Sequence, residues 1–202
     1  MKLRIRGVEL RLSFSLLCLA AVCVILGIMP GLLCCAAAVT IHELGHLIVM
    51  LHYGDKPSEI RVSLFEIAIK DKNRAQRSDR QNFFIIFFGP FVNFICFLLF
   101  FLLYLMGNDL FLSLAAANLS VGLFNSLPVL SLDGGQLLFL LLSRKRDARF
   151  AERTVNVLSF ITIFPLAALG FILLFHSKYN FSLLMVCGYI VLSLLSRKNS
   201  VF

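Results

Sequence analysis

The sequence predicts an all-α polytopic membrane protein with about six transmembrane helices and short β segments at the membrane surface. Hydrophobic residues make up 59% of the 202-residue chain and charged residues only 15%, against roughly 25% in ordinary globular domains. Several apolar runs are longer than the ~18 residues that indicate a membrane span. The charged residues cluster in the segments between these runs.

The apolar stretch from Leu12 to Leu51 predicts two spans. A single helix of that length would measure about 60 Å, twice the ~30 Å of a hydrocarbon core. The sequence "MPG" at 29–31 interrupts the stretch, because Pro and Gly break helices and favour turns. We therefore expect spans near 13–29 and 31–53, the first retained and not cleaved as a signal peptide.

The polar segment at 54–80 contains an alternation of apolar and polar residues from Ile60 to Leu64. Alternation of this kind is typical of a β-strand. The opening "KLRIRGVELRLS" at 2–13 alternates in the same way. Both segments are therefore predicted to form short strands at the membrane surface.

Four further apolar regions follow. A span is predicted near 82–106, and two more near 154–175 and 180–196. The run at 110–142 is long for one crossing and contains "NSLPVLSLDGG", in which Pro128 and Gly134-Gly135 should break the helix. We expect this span to unwind locally, facing protein or a water-filled cavity. The whole of 1–202 is predicted to be one integral-membrane domain.

The distribution of basic residues predicts the orientation. Eighteen of the 19 Lys and Arg residues lie in the two termini and in the segments at 54–80 and 143–153, and Lys178 is the exception. Cytoplasmic loops of membrane proteins carry this excess. Both termini and both basic segments are therefore predicted to be cytoplasmic. We attribute the net charge of +8 to topology and expect no nucleic-acid partner.

Two acidic residues, Glu43 and Asp133, lie inside apolar spans. An ionisable group in hydrocarbon is costly unless paired, and by default it marks a functional site. No Lys or Arg lies at the same predicted depth. A metal ion is the simplest compensating charge.

His42, Glu43 and His46 form the pattern H-E-x-x-H. Residues at i and i+4 share one helix face, so two imidazoles can bind one zinc ion with the intervening Glu beside the metal-bound water. The alternative is a pair of core histidines hydrogen-bonded to neighbouring helices, with Glu43 protonated. The pattern, together with a second membrane acid, favours the metal site.

Catalytic zinc usually has three protein ligands, and Asp133 is the remaining intramembrane acid. On helical rise, the histidines lie about 14–20 Å from the cytoplasmic end of their span, and Asp133 lies about 15 Å from the basic segment that follows it. Equal depths make Asp133 the predicted third ligand.

The motifs "HELGH" at 42–46, "GPFVN" at 89–93 and "NSLPVLSLDGG" at 125–135 resemble the site-2 protease family of intramembrane zinc metalloproteases, over roughly 35–140. The resemblance implies a three-helix catalytic core at about 31–142 and cleavage of a peptide bond in or near a substrate's transmembrane segment. It implies one zinc ion held by His42, His46 and Asp133, with Glu43 as general base. Substrate contacts are implied for Asn125, Asn93 and Pro128, although either Asn could instead hydrogen-bond neighbouring backbone.

The chain departs from many relatives in having "VLSL" at 129–132 without further prolines, and in lacking a clear double glycine near 54–70. No PDZ or CBS domain is expected. The six-span layout with cytoplasmic termini is most similar to the stage IV sporulation protein FB branch. This similarity implies a bacterial cell membrane and a sporulation sigma-factor precursor as substrate, with an anti-sigma factor or a peptide precursor as alternatives.

The implied partners are a membrane protein substrate, the lipid bilayer and regulatory membrane proteins, while the oligomeric state is left open. The site is expected to open to the cytoplasm, and the strand at 54–70 to clamp unwound substrate by β-addition. Two other function classes compete with the protease. A catalytically idle, metal-binding scaffold would not need Glu43, and a cation transporter would not need the H-E-x-x-H order.

Overall fold

The computed structural model describes residues 2–5, 8–12, 24, 27, 29–55, 57, 59–62, 67–70, 76–176, 187, 188 and 191. Over this part of the chain there are five helices and four short strands. The spans predicted near 13–29 and 180–196 lie almost wholly outside the described residues. The chain divides into two compact units, Met1–Phe124 and Asn125–Phe202. That 1–202 acts as a single domain stays a prediction.

The first unit is built on two long apolar helices, α1 (Met29–His52) and α2 (Asp79–Leu105), followed by α3 (Leu110–Asn125). Helix α1 begins at the predicted "MPG" break, where Pro30 is tolerated because first-turn N–H groups have no helical acceptor. Helix α2 begins with a capping box, in which the Gln81 N–H donates to Ser78 Oγ at 3.3 Å and the Ser78 N–H donates to Gln81 Oε1 at 3.0 Å.

Helices α1 and α2 pack through a small apolar core near the end of α1. Val49, Met50 and Ile85 are buried there, with Tyr53 and Phe88 packed against them. Beside it, Arg77 Nε lies 3.0 Å from Asp55 Oδ2, and the two side chains are only 6% and 15% exposed. Burial lowers the pKa of Arg77, and the Asp55 carboxylate opposes that shift. This ion pair links the end of α1 to the start of α2.

A four-stranded sheet belongs to the same unit: β1 (Lys2–Ile5), β2 (Val8–Leu12), β3 (Glu59–Val62) and β4 (Ile67–Lys70), in that order. β1–β2 and β3–β4 pair antiparallel, whereas β2–β3 pair parallel with Glu9 opposite Glu59. Strands β1, β2 and β3 lie in the two stretches that alternate in sequence, whereas β4 follows the stretch that ends at Leu64. The parallel pairing between them was not predicted, and a position at the membrane surface stays a prediction.

The second unit contains α4 (Asp133–Ser143) and α5 (Ala148–His176). Residues 126–132 between α3 and α4 are not helical, which confirms the predicted local unwinding. The prediction that Gly134-Gly135 would break the helix is wrong, because both residues lie in the first turn of α4. Glycine disfavours a helix by only ~1 kcal/mol, and packing against the preceding loop outweighs that amount.

Among the described residues, three helical segments are long and apolar enough to cross a membrane: Met29–His52, Asp79–Leu105 and Ala148–Ile172. They match three of the predicted spans, and they support an integral membrane protein. The region predicted as one interrupted span at 110–142 contains two shorter apolar helices, α3 and α4. The total of six spans stays a prediction. Large apolar side chains such as Phe164, Ile172 and Leu102 are exposed, as expected for lipid-facing surface.

Candidate metal site

The two motif histidines lie one turn apart on α1 and their rings meet edge to face. The ring centroids are 4.8 Å apart, with an interplanar angle of 86°. The Nε2 atoms of His42 and His46 are 3.1 Å apart. His42 is only 4% exposed. The predicted proximity of the two imidazoles is therefore present in the structure.

The outer nitrogen of His46 is held by the backbone of α2. His46 Nδ1 lies 2.8 Å from the carbonyl oxygen of Ile85. A carbonyl oxygen can only accept, so His46 Nδ1 carries the proton. Pro90 lies in the same part of α2, and because proline has no N–H it cannot donate to the carbonyl of Ile86, four residues before it.

The outer nitrogen of His42 is held by a side chain of α2. His42 Nδ1 lies 2.8 Å from Asn93 Oδ1. The orientation of this amide follows from its second contact, since Asn93 Nδ2 donates to the carbonyl of Ala38 at 3.0 Å. The Asn93 oxygen therefore accepts, and His42 Nδ1 also carries a proton. Asn93 is fully buried.

Two Nδ1-protonated imidazoles direct their Nε2 lone pairs towards each other. At 3.1 Å these lone pairs repel unless a proton or a metal cation lies between them. A neutral imidazole that donates from Nδ1 and coordinates through Nε2 is the usual histidine metal ligand, with its outer nitrogen fixed by a carbonyl or carboxylate. The pair therefore fits a metal ion.

Two glycines give the rings their space. A Cβ on Gly89 would overlap the His46 ring and lie 3.0 Å from His42 Cε1. A Cβ on Gly45 would lie 2.6 Å from the carbonyl oxygen of Phe88. Helices α1 and α2 thus approach closely at both positions. In "GPFVN", Gly89 leaves space for the two imidazole rings, and Asn93 hydrogen-bonds to the ring of His42.

Glu43 follows His42 directly on α1 and is half-buried. On the helix, Glu43 lies about 100° of rotation from His42 and about 60° from His46, beside the face that the two histidines share. Its role as general base stays a prediction.

Asp133 belongs to the second unit, where it is the first residue of α4 and is half-buried. The loop before it is fixed by helix α5. The backbone N–H of Leu130 donates to Ser159 Oγ at 3.0 Å, and Ser159 Oγ donates to the Val155 carbonyl at 2.8 Å. Val129, Leu130 and Ser159 are all buried. The backbone that leads into Asp133 is therefore held in place by contacts within its own unit.

The double glycine after Asp133 makes this turn possible. A Cβ on Gly134 would overlap the backbone of Ser126 and Leu127, and a Cβ on Gly135 would overlap that of Val129. Only residues without a side chain let α4 begin so close to its own loop. Gly134 and Gly135 thus position the carboxylate-bearing residue by permitting a close backbone approach.

The residues predicted to contact substrate occupy different settings. Asn125 is half-buried at the end of α3, and Pro128 is half-buried in the loop. Their substrate roles stay predictions. Asn93 is fully buried and bonded to His42 and Ala38, which favours the alternative that it hydrogen-bonds within the protein.

Asn118 is a further residue of this region, and it was not predicted from the sequence. This residue is fully buried on α3, and its Oδ1 accepts from Asn93 Nδ2 at 3.0 Å. The sequence does mark this residue as a polar side chain within the apolar run "LAAANLS". Asparagine does not ionise, however, so the cost of burying a charge did not single it out.

The sequence of this chain is similar to those of known peptidases. Residues 107–169 match the family model of peptidase family M50, a segment that contains Asp133 but not the histidines. The chain is 30% identical over 139 residues to the stage IV sporulation protein FB of Bacillus subtilis, covering 67% of this chain and 48% of that protein. It is 28% identical over 195 residues to a zinc metalloprotease of Methanocaldococcus jannaschii, covering 87% of this chain and 56% of that protein.

The fold also has a solved counterpart. The site-2 protease from Methanocaldococcus jannaschii superposes with a TM-score of 0.68 at 24% identity, over 100% of this chain and 96% of that one. This likeness shows a shared fold. The chain spans about half the length of the curated relatives that it matches. Together the matches confirm the resemblance to the site-2 protease family that the three motifs predicted.

Proposed function

We propose that this chain, a site-2 protease relative in motif and in fold, is a zinc-dependent endopeptidase that cleaves a transmembrane or membrane-associated protein. The observation that carries the proposal is the histidine pair. Two Nε2 atoms lie 3.1 Å apart, and both outer nitrogens bond to acceptors on α2. This arrangement is suited to a cation, and the residue between the two ligands in the motif is a glutamate.

The proposed ligands of one zinc ion are His42, His46 and Asp133. Three protein ligands leave one position open, which is the arrangement of catalytic zinc sites. Zinc bound there would supply Lewis-acid activation of a water molecule and of the scissile carbonyl. The fixed Nδ1 protons of the histidines keep both rings in the coordinating tautomer.

Glu43 is the proposed general base. Its carboxylate takes a proton from the attacking water and later delivers that proton to the nitrogen of the leaving amine. A transmembrane substrate has its own carbonyls hydrogen-bonded within its helix, so it must unwind before attack. Asn125 and Pro128, at the start of the loop before Asp133, are the proposed contacts for that unwound segment. Strand β4, the edge strand within the segment at 54–70, is proposed to clamp the unwound substrate segment by β-addition.

We further propose that both termini and the site face the cytoplasm of a bacterial cell, in line with the clustering of basic residues. The proposed substrate is a sporulation sigma-factor precursor, as the resemblance to the stage IV sporulation protein FB branch implies, and one relative of this chain carries that name. An anti-sigma factor and a peptide precursor are the alternatives.

The experiment compares zinc content and cleavage in the same detergent-purified preparations. Wild type, Glu43→Gln and His46→Ala are assayed for bound zinc and for cleavage of membrane-anchored candidate substrates. Glu152→Gln, a half-buried glutamate on α5, is the matched control. We expect Glu43→Gln to keep zinc and lose cleavage by at least about 100-fold, and His46→Ala to lose both.

Each outcome separates the competing functions. Cleavage that persists in Glu43→Gln would exclude the assigned base. Stoichiometric zinc in a wild type that cleaves none of the candidates, while sodium or proton flux depends on Glu43, would favour transport. Absence of zinc from wild type would overturn the site.

A further inference from the structure

Three side chains form a continuous hydrogen-bonded chain across α3, α2 and α1. Asn118 Nδ2 donates to the carbonyl of Leu114 on its own helix at 2.9 Å. Asn118 Oδ1 accepts from Asn93 Nδ2 at 3.0 Å, and Asn93 Oδ1 lies 2.8 Å from His42 Nδ1. Both Asn118 and Asn93 are 0% exposed. This series of hydrogen bonds ends at His42, a predicted metal ligand, and all three residues lie within the first compact unit.

Two backbone carbonyls fix which group donates and which accepts in each of these hydrogen bonds. The Leu114 carbonyl accepts from Asn118, and the Ala38 carbonyl accepts from Asn93. A carbonyl cannot donate, so each amide nitrogen must face its carbonyl. If the Asn118 amide turned over, two NH₂ groups would face each other. The Asn93 oxygen is therefore directed at His42, and the imidazole must present its Nδ1 proton.

The cost of burying Asn118 indicates what the residue does. A leucine at this position would fill a similar volume without the desolvation cost of an amide, which amounts to several kcal/mol when hydrogen bonds are incomplete. In apolar surroundings, however, each hydrogen bond of a connected chain is stronger and fixes its neighbour. The amide therefore contributes orientation, which leucine could not supply.

A close approach of the helices supports the same arrangement. Gly122 is four residues after Asn118, on the same face of α3, and is buried. A Cβ there would lie 3.3 Å from Asn93 Cβ and 3.3 Å from Phe94 Cε1. Helix α3 thus packs directly against the part of α2 that carries Asn93.

From this geometry we propose that Asn118 is a positioning residue for the metal site, acting on His42 through Asn93. It holds the Asn93 amide in the orientation that keeps the His42 Nε2 lone pair directed at the metal. The inference rests on the proposed function only in that the histidines bind zinc, and it requires no proteolysis.

The test measures zinc binding by the full chain in detergent. Apparent zinc affinity is determined by chelator competition, and ligand geometry by the visible absorption of the cobalt(II)-loaded protein. The variants are Asn118→Leu, Asn118→Ser, Asn118→Asp, Asn93→Leu and the double variant Asn93→Leu/Asn118→Leu. Ser120→Ala, exposed on the same helix, is the control.

We expect Asn118→Leu to weaken zinc binding about tenfold and Asn93→Leu by up to about 100-fold, the range for partners that orient metal ligands. The double variant should be no weaker than Asn93→Leu, because Asn118 acts through that residue. Asn118→Ser should resemble Asn118→Leu, since a serine hydroxyl reaches its own helix carbonyl but not Asn93.

Asn118→Asp should restore binding to within about threefold of wild type and recover the cobalt spectrum. A carboxyl group held neutral by burial donates to Leu114 and accepts from Asn93, as the amide does. If Asn118→Leu does not fold, the comparison of Asn118→Ser with Asn118→Asp carries the test.

Folded Asn118→Leu or Asn118→Ser protein with wild-type zinc affinity and cobalt spectrum would overturn the inference. So would additive losses in the double variant. Neither result bears on cleavage, whereas zinc binding without cleavage would contradict the proposed function and leave this inference intact.

Discussion

The histidine region of the first unit and the aspartate turn of the second unit position their side chains by different means. The histidines lie on a regular helix, and hydrogen bonds from α2 orient their rings. Asp133 begins a helix after an irregular loop, and backbone contacts and the Ser159 hydroxyl set its place. In the first region, hydrogen-bond partners on α2 orient the imidazole rings. In the second region, the path of the main chain sets the position of Asp133.

Glycine illustrates the difference. Gly89 provides space for imidazole rings, so a methyl group there would collide with metal-binding side chains. Gly134 and Gly135 provide space for carbonyl groups of the preceding loop. Substitution in the first region should therefore act on metal affinity, and substitution in the second should act mainly on stability. Four variants test this contrast.

The largest effect is expected for Gly89→Ala. The new methyl group would displace the His46 ring, and we expect zinc affinity to fall by at least about 100-fold, beyond the usual effect of losing an outer partner. Chelator competition measures the loss, and the melting temperature in detergent shows whether the fold survives. Wild-type zinc affinity in a folded Gly89→Ala protein would remove the basis of the comparison.

Gly135→Ala should destabilise the second unit. Its Cβ would overlap the Val129 backbone, which cannot move as a side chain can, so we expect a cost of about 3 kcal/mol, the upper end for overpacking. The measurement is the midpoint of denaturant unfolding. Because the protein has no Trp, unfolding is monitored by Tyr fluorescence or circular dichroism. A stable Gly135→Ala protein that has lost zinc would place this glycine with Gly89 instead.

Ser159→Ala should cost less. It removes the acceptor of the buried Leu130 N–H, and leaving such a donor unsatisfied costs about 2 kcal/mol. Thr154→Ala is the matched control, because its hydroxyl also donates to a carbonyl of its own helix, that of Phe150. The difference between the two midpoints isolates the loop contact. Equal shifts would show that Ser159 does not brace the loop.

Gly31→Ala should have the smallest effect. This glycine lies in the first turn of α1, and a Cβ there meets nothing within 4 Å. Alanine favours helix over glycine by ~1 kcal/mol in a helix interior, so stability should be unchanged or slightly raised and zinc affinity unchanged. A loss of zinc binding in this variant would mean that any glycine of α1 is critical, contrary to the contact-based explanation.

The sequence alone determined those features that depend on local spacing. H-E-x-x-H placed His42 and His46 on one helix face because helical periodicity is a property of the local chain. Pro128 predicted the interruption between α3 and α4. The alternation of apolar and polar neighbours predicted short strands. Intramembrane acids singled out Glu43 and Asp133 through the cost of burying charge.

Tertiary structure alone decided the features that join distant parts of the chain. His42 finds Asn93 across 51 positions and His46 finds the Ile85 carbonyl across 39. The parallel pairing of β2 with β3, the role of Gly134-Gly135 and the contact of Asn118 are of the same kind. Spacing along a helix fixes which side chains share a face, but the orientation of each ring depends on which donor or acceptor packing brings to it.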